Sequence, residues 1–435
     1  MSSSHHVSPE SAIDVSRLSS LQIVIMVLCA AIAMIDGFDT QSIAFVAPHI
    51  ADAWNIPASS FGPVFGAGLL GSFVGALTLG PLGDRIGRKP GLFISVLIFA
   101  VGTLLTPLAG SIHSLAAMRF GTGLGLGGAL PCFISLASEY APKRSRESLV
   151  SLMFCGFPVG AVIGGLLCGK LVVQWGWKSA FIAGGALPIL IMPVFMAVVP
   201  ESIEYLARRG KHAEVQRILT RLGNDRDWDV DLTALSPPER ISIAGLFADR
   251  RALGTLLLWA TLFLSLLLTY FLINWIPLVA RSTGADVGLA VIAVSMLNLG
   301  AVFGCVGIGR LADRFAPPIV IGCAYGGGAV AIFLMGQVQG SGTLLCVTAF
   351  VAGMLSIGAQ MCTVSFCASF YGTHLRATGV GWAMGIGRVG AICGPVLGGL
   401  LLDAGMGTAA LFSTTAVASL GAAAAMWLMK FSSPH

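Results

Sequence analysis

Five ionisable side chains interrupt long apolar stretches of this chain: Asp36, Asp39, Arg119, Glu139 and Arg388. A charge in hydrocarbon is costly unless it faces a cavity, a partner or a ligand, so these residues are the first candidates for chemistry. Asp36 and Asp39 are three residues apart, which on a helix puts them on one face about 4.5 Å apart along the axis. Two carboxylates that close repel when both are ionised, and holding a proton between them is favoured; that is the chemistry of a proton carrier. The plainer role is a hydrogen bond to a helix irregularity near Gly37. Arg119 stays cationic and suits an acidic partner or the tuning of a carboxyl group. Arg388 lies in Gly385-Ile-Gly387-Arg388-Val-Gly390, where glycines clear space around a guanidinium that wants an anion. That anion is either a substrate carboxylate, gripped in a bidentate fork, or a carboxylate of the protein. Glu139, near the end of its apolar run, is a further proton site or one half of a gate ion pair.

Phe38, Phe157, Tyr270, Trp275 and Trp382 lie at similar depth. Each has packing as its ordinary role. Several of them near an arginine would suit a flat aromatic acid, its ring stacked and its carboxylate forked. Asn274 and Gln360 offer polar contacts to ring substituents.

These side chains need elements to position them, and composition says which kind. Of 435 residues, 56% are hydrophobic and 10% charged, with a net charge of +5 and a mean hydropathy of +0.87. Soluble domains carry about a quarter charged residues, so an ordinary cytosolic enzyme is excluded, and so is a disordered chain. The ten cysteines stand singly with no CxxC, which reads as packing rather than metal or disulfide chemistry. A helix needs about 20 apolar residues to cross a bilayer. Windows of that size fall at 21–50, 61–83, 91–110, 113–139, 148–173, 179–199, 252–280, 286–309, 319–337, 343–370, 376–402 and 407–431. The expected fold is therefore an all-α polytopic membrane protein of twelve spans.

The polar N-terminal tail (1–20) has no signal-peptide pattern and is expected to stay inside. With alternating spans, Arg119 and Arg388 fall within the membrane, Lys170, Lys178 and Arg281 fall outside, and the other twenty of 25 Lys and Arg face the cytoplasm. That skew obeys the positive-inside rule and places both termini in the cytoplasm. The polar stretch 200–251 reads as a cytoplasmic linker between two bundles, 21–199 and 252–431.

Those bundles echo each other. Gly80-Pro-Leu-Gly-Asp84-Arg85-Ile-Gly-Arg88-Lys89 follows span 2, and Gly309-Arg-Leu-Ala-Asp313-Arg314 follows span 8. Gly156, Gly160, Gly164 and Gly165 of span 5 match Gly390, Gly394, Gly398 and Gly399 of span 11. The offsets, 229 and 234 residues, indicate a duplication, and small residues at fourth positions let helices approach closely.

Two six-span halves with G-x-x-x-D-R-x-G-R-K between spans 2 and 3 resemble the major facilitator superfamily over the whole chain. Further stretches resemble its aromatic acid:proton symporters: Asp36-Gly-Phe-Asp39-Thr-Gln41, Arg119 to Pro131, Ser138 to Arg144, Asn274-Trp275-Ile-Pro277, and Arg376 to Ala391. That resemblance implies import of a 4-hydroxybenzoate- or benzoate-like acid with protons by alternating access. It implies gating by Asp84, Arg85, Arg88, Asp313, Arg314 and Arg376, and proton coupling by Asp36, Asp39 and Glu139. Substrate contacts are expected from Arg388, Arg119, Trp382, Tyr270, Asn274 and Phe38. The second gate motif lacks the basic tail of the first and runs into Pro317-Pro318, so its hold is expected to be weaker. No metal or organic cofactor and no nucleic acid is expected, the coupling ion being the proton, and the chain is expected to act as a monomer in the inner membrane. Two relatives compete. A sugar symporter would line span 7 with more amides than Asn274, and a drug exporter would carry G-P-x-x-G-G in span 5, whereas Gly394-Pro395 to Gly399 is in span 11. No metal set, nucleophile elbow or phosphate loop supports an enzyme.

Overall fold

The computed structural model describes residues 6–7, 18–142, 145–222, 229–230, 243–248, 251–282, 287–338 and 341–430. Twelve of its helices are long and apolar enough to cross a membrane: Ser20–Trp54, Ala58–Ile86, Arg88–Leu108, Ile112–Tyr140, Leu152–Trp175 and Lys178–Val198, then Ala252–Leu278, Gly288–Arg314, Pro317–Gln337, Gly342–Phe370, Thr378–Asp403 and Thr408–Met429. They are spans 1 to 12 below. A helix satisfies its own backbone hydrogen bonds, which a lipid-exposed chain must do. A two-residue ladder, His6–Val7 with Asp229–Val230, is the β-pairing present among the described residues.

The ends of the spans follow from local chemistry. Span 1 starts at Ser19, whose hydroxyl accepts from Gln22 N while the Gln22 side chain accepts from Ser19 N, a reciprocal cap. It ends at Asn55, which adopts a left-handed conformation with φ 53°. Gly87 breaks the chain between spans 2 and 3 at φ +114°, and a side chain there would also collide with the Glu201 carboxylate. Two interruptions differ from the expected continuous runs. Span 5 is broken at Cys155, its first residues belonging to the short helix Arg146–Phe154 and the rest to Gly156–Trp175. Span 10 contains a π turn, Gly353–Ile357, where Gly353 and Gly358 press on the backbone of span 8; such turns accommodate a local misfit.

Packing is the same in each half. Span 2 lies on span 4 and span 1 on span 5; correspondingly, span 8 lies on span 10 and span 7 on span 11. Glycines make this possible. A Cβ at Gly75 would stand 2.0 Å from Leu124 O, and one at Gly304, 229 residues later, would stand 1.9 Å from Met354 O. A Cβ at Gly160 would stand 1.9 Å from Met34 O, and one at Gly394 would stand 2.3 Å from Leu267 O. The repeated glycines are therefore helix–helix contacts that the pseudo-symmetry duplicates. The outer surface carries Leu77, Leu108, Val173 and Leu190, all well exposed, as a lipid-facing surface requires.

The linker forms two short helices, Ile203–Arg208 and His212–Arg221. Their apolar faces (Ile203, Leu206, Val215, Ile218, Leu219) join the core of the first half beside Tyr140 and Ile25. The linker and both ends of the described bundle lie on one side of the molecule, called the linker side below.

Candidate functional site

The halves enclose a cavity of about 400 Å³ at mid-depth. Span 1 contributes Asp36 and Thr40, span 2 Ser72, span 4 Arg119, span 7 Tyr270 and Asn274, span 8 Asn298, span 10 Gln360, and span 11 Arg388. Asp36 and Arg388 each lie about halfway along their helices, which is where two facing bundles can be hollow without exposing either residue to lipid. Most of the remaining wall is apolar, including Val64, Phe65, Phe157 and Met384.

The cavity is closed on the side away from the linker. There Gly62 meets Gly399, with a built Cβ only 3.1 Å from the Gly399 Cα. Phe65 stands edge-on to Trp275 with ring centroids 5.7 Å apart. Gln41 and Asn298 exchange amide hydrogen bonds of 3.3 and 3.0 Å between span 1 and span 8, both side chains being buried. Toward the linker the wall continues through Leu126, Leu130 and Ile134 of span 4 and Phe154 at the start of span 5.

The two acids of span 1, expected on one face, serve different surroundings. Three residues turn a helix by 300°, leaving the side chains about 60° apart, and that is enough to separate them. Asp36 faces the cavity and accepts from Thr40 Oγ1 at 3.1 Å. Arg388 and Tyr270 line the same cavity. Asp39 is fully buried and absent from the cavity wall. Its carboxylate accepts from Arg119 Nη2 at 2.9 Å and Nη1 at 3.4 Å, and from Thr103 Oγ1 at 3.0 Å. The Arg119 guanidinium lies 6.0 Å from the centre of the Phe181 ring. Arg119 borders the cavity, but its charge is matched by Asp39.

Arg388 differs. It is half-buried, it lines the cavity, and its Nη1 donates to Ser72 Oγ at 3.3 Å across the halves. Among the described residues no carboxylate lies within ion-pair distance of it.

Several expected residues lie elsewhere. Phe38 is buried between spans 5 and 6 against Gly164 and Gly184, so it packs and does not line the cavity. Trp382 is 42% exposed and stacks on Trp259 at 6.1 Å on the outer surface; its position on span 11 has the expected depth but the wrong direction. Trp275 is buried, its indole N–H donating to Pro395 O at 3.1 Å. Tyr270, Asn274, Gln360 and Phe157 do line the cavity.

Glu139 is at the linker end of span 4, outside the cavity wall. Its oxygens accept from Ser202 Oγ at 2.9 and 2.7 Å and from Glu204 N at 3.4 Å, so it fastens the start of the linker. Beside it, Glu201 accepts from Lys89 N at 3.0 Å, and Tyr140 Oη donates to Glu201 O at 2.6 Å. The first gate motif joins this assembly. Asp84 pairs with Arg88 one turn away, while Arg209 Nη2 donates to the carbonyl of Arg85 at 2.9 Å. The motif thus binds the linker here. Asp313 and Arg314 are exposed at the linker end of span 8. Arg376 is in the helix of span 11, but its side chain lies outside the described residues.

Sequence reasoning missed Thr40, Ser72, Thr103, Gln41, Asn298 and Ser202. All are neutral. Their cost in a membrane is small enough that no pattern of charge or hydropathy marks them.

Comparison with known proteins bears on this arrangement. The family model described as Major Facilitator Superfamily matches residues 29–389 and 308–435. A 4-hydroxybenzoate transporter of Pseudomonas putida is 38% identical over 403 residues, covering 91% of this chain and 90% of its own. A gallate transporter of the same species is 36% identical over 417 residues, covering 95% and 93%. The 3-(3-hydroxy-phenyl)propionate transporter of Escherichia coli (strain K12) is 34% identical over 414 residues, covering 95% of each. Among solved structures, the xylose transporter of E. coli in a partially occluded inward-open conformation aligns with TM-score 0.73 at 17% identity, over 95% of this chain and 98% of that one. A bacterial homologue of the human lysosomal transporter Spinster aligns with TM-score 0.73 at 18% identity, over the same shares. These structural likenesses are of fold.

Proposed function

The chain belongs to the major facilitator superfamily, whose members are transporters rather than enzymes, and from that premise we propose that it imports an aromatic carboxylate together with protons by alternating access. The observation that carries this reading is the state of Arg388. A permanent cation stands in a mid-depth cavity with a neutral hydroxyl as its hydrogen-bond partner, while the other intramembrane arginine already has its carboxylate. A carboxylate ligand is the complement that this cavity lacks, and the surrounding apolar wall with Phe157 and Tyr270 accepts a flat ring. The relatives named for 4-hydroxybenzoate, gallate and hydroxyphenylpropionate support the substrate class.

Asp36 is the proton site in this reading, because it is the cavity-facing acid and belongs to the half opposite Arg388. Asp39 is the counter-ion of Arg119. Glu139 holds the linker against span 4. The linker side is cytoplasmic, in accord with the Lys and Arg skew, and the membrane is the inner one. The structure then corresponds to a state closed toward the outside. Opening that side separates Gly62 from Gly399 and Gln41 from Asn298; Asp36 takes a proton, the carboxylate docks on Arg388, and rocking of the halves delivers both inward. One proton with one monoanion moves no net charge.

Uptake of radiolabelled 4-hydroxybenzoate into whole cells tests this. Accumulation against a gradient, collapsed by a protonophore, is expected. Accumulation that is unaffected by the protonophore, or labelled acid leaving preloaded cells against its gradient, would rule the reading out.

A further inference from the structure

The Arg388–Ser72 contact joins the two halves at the centre of the cavity. Nη1 of Arg388, from span 11, donates to Ser72 Oγ, from span 2, at 3.3 Å. Both residues line the cavity, and neither backbone is free to drift. The carbonyl of Ser72 is so close to span 4 that a Cβ at Gly127 would stand 1.9 Å from it. Span 11 is clamped beside Arg388 by Gly390, whose Cβ would stand 2.1 Å from Phe263 O. A hydroxyl fixed in one half thus meets a guanidinium fixed in the other.

A guanidinium presents its donors in a rigid planar fork. It can receive a carboxylate on the edge formed by Nη1 and Nη2 or on the edge formed by Nε and Nη2. A bond from Nη1 to Ser72 engages one of the two Nη1 hydrogens and leaves the Nε–Nη2 edge free for a two-point grip. We propose that Ser72 is a positioning residue that sets which edge of Arg388 meets the substrate carboxylate, so that the anion anchor is complete only when the halves stand as they do here. The inference rests on the reading of Arg388 as the carboxylate anchor. It adds that affinity depends on the state of the transporter through a neutral hydroxyl on the opposite half.

The test is equilibrium binding of radiolabelled 4-hydroxybenzoate to the purified full chain in lipid nanodiscs. Ser72→Ala is expected to weaken binding about five- to tenfold, the worth of one lost orienting hydrogen bond, and Ser72→Thr to restore it to within about twofold. In an Arg388→Lys background, where there is no planar edge to orient, Ser72→Ala is expected to add nothing further. Ser72→Cys, nearly isosteric but a poor acceptor, replaces the alanine variant if that one does not fold. Wild-type affinity in Ser72→Ala, alongside lost binding in Arg388→Ala, would overturn the positioning role and leave the anchor in place. An equal loss from Ser72→Ala in the Arg388→Lys background would also overturn it, because it would mark ordinary packing. Unchanged binding in Arg388→Ala would instead remove the anchor reading itself.

Discussion

The Asp39–Arg119 pair offers a test whose size can be worked from the structure. Asp39 is fully buried, and Arg119 is 3% exposed. The carboxylate accepts three side-chain hydrogen bonds, two of them from the guanidinium. Removing one member of such a pair strands the other charge in a low-dielectric setting, at a cost of about 3–5 kcal/mol. Asp39→Asn leaves the Arg119 cation without an anion; Arg119→Gln leaves the Asp39 carboxylate with Thr103 alone. Both are expected to fall by that amount. The double variant Asp39→Asn/Arg119→Gln buries two amides that can bond to each other, so it is expected to lose only about 1–2 kcal/mol, less than either single variant and far short of their sum. In a unit the size of one six-helix half, 1 kcal/mol moves a melting temperature by roughly 2–4 °C. The single variants should therefore melt on the order of 10 °C lower in detergent, with the double variant much nearer the wild type. The double variant should also still bind 4-hydroxybenzoate, since neither residue is assigned to the proton or to the carboxylate. Losses that simply add in the double variant would refute the ion-pair argument. A double variant that is stable but cannot couple transport to a pH gradient would return Asp39 to the proton path.

Three further outcomes follow from other contacts. Asp36→Asn should abolish accumulation driven by a pH gradient while exchange of labelled for unlabelled substrate across the membrane persists; in the wild type, uptake should quicken as the external pH falls, because the proton is a co-substrate taken from that side. Gly127→Ala puts a methyl group 1.9 Å from Ser72 O and should cost about 1–3 kcal/mol by overpacking, read as a lower melting temperature that Gly121→Ala, with open space around it, does not share. Gln41→Leu leaves the buried Asn298 amide short of partners, at about 1–3 kcal/mol, which should shift spin-label distances between Ala53→Cys and Met406→Cys, on the side away from the linker, toward longer values.

Much of this molecule was legible in the chain itself. The twelve spans follow from transfer energetics summed over about 20 residues, and the structure places them within a few residues of the expected windows. Asp36, Arg119 and Arg388 stood out because a charge in an apolar run has a cost that no local feature offsets. The duplication was visible in Gly80 to Arg85 and Gly309 to Arg314, and Gly156, Gly160 and Gly164 of span 5 and Gly390, Gly394 and Gly398 of span 11 prove to be equivalent contacts on spans 1 and 7.

The cost of burying a charge belongs to the residue, and so the chain alone could say which side chains required a partner or a cavity. Which partner each one received depends on direction around a helix and on how closely the backbones approach, and these exist only once the spans are packed. A turn of about 60° sends Asp39 to Arg119, 80 positions away, and Asp36 to the cavity. The same geometry directs Phe38 and Trp382 away from the cavity and brings Ser72 to Arg388, 316 positions apart. Neutral side chains such as Ser72, Gln41 and Asn298 carry no burial penalty large enough to mark them in advance, and their roles arise from the tertiary contacts alone.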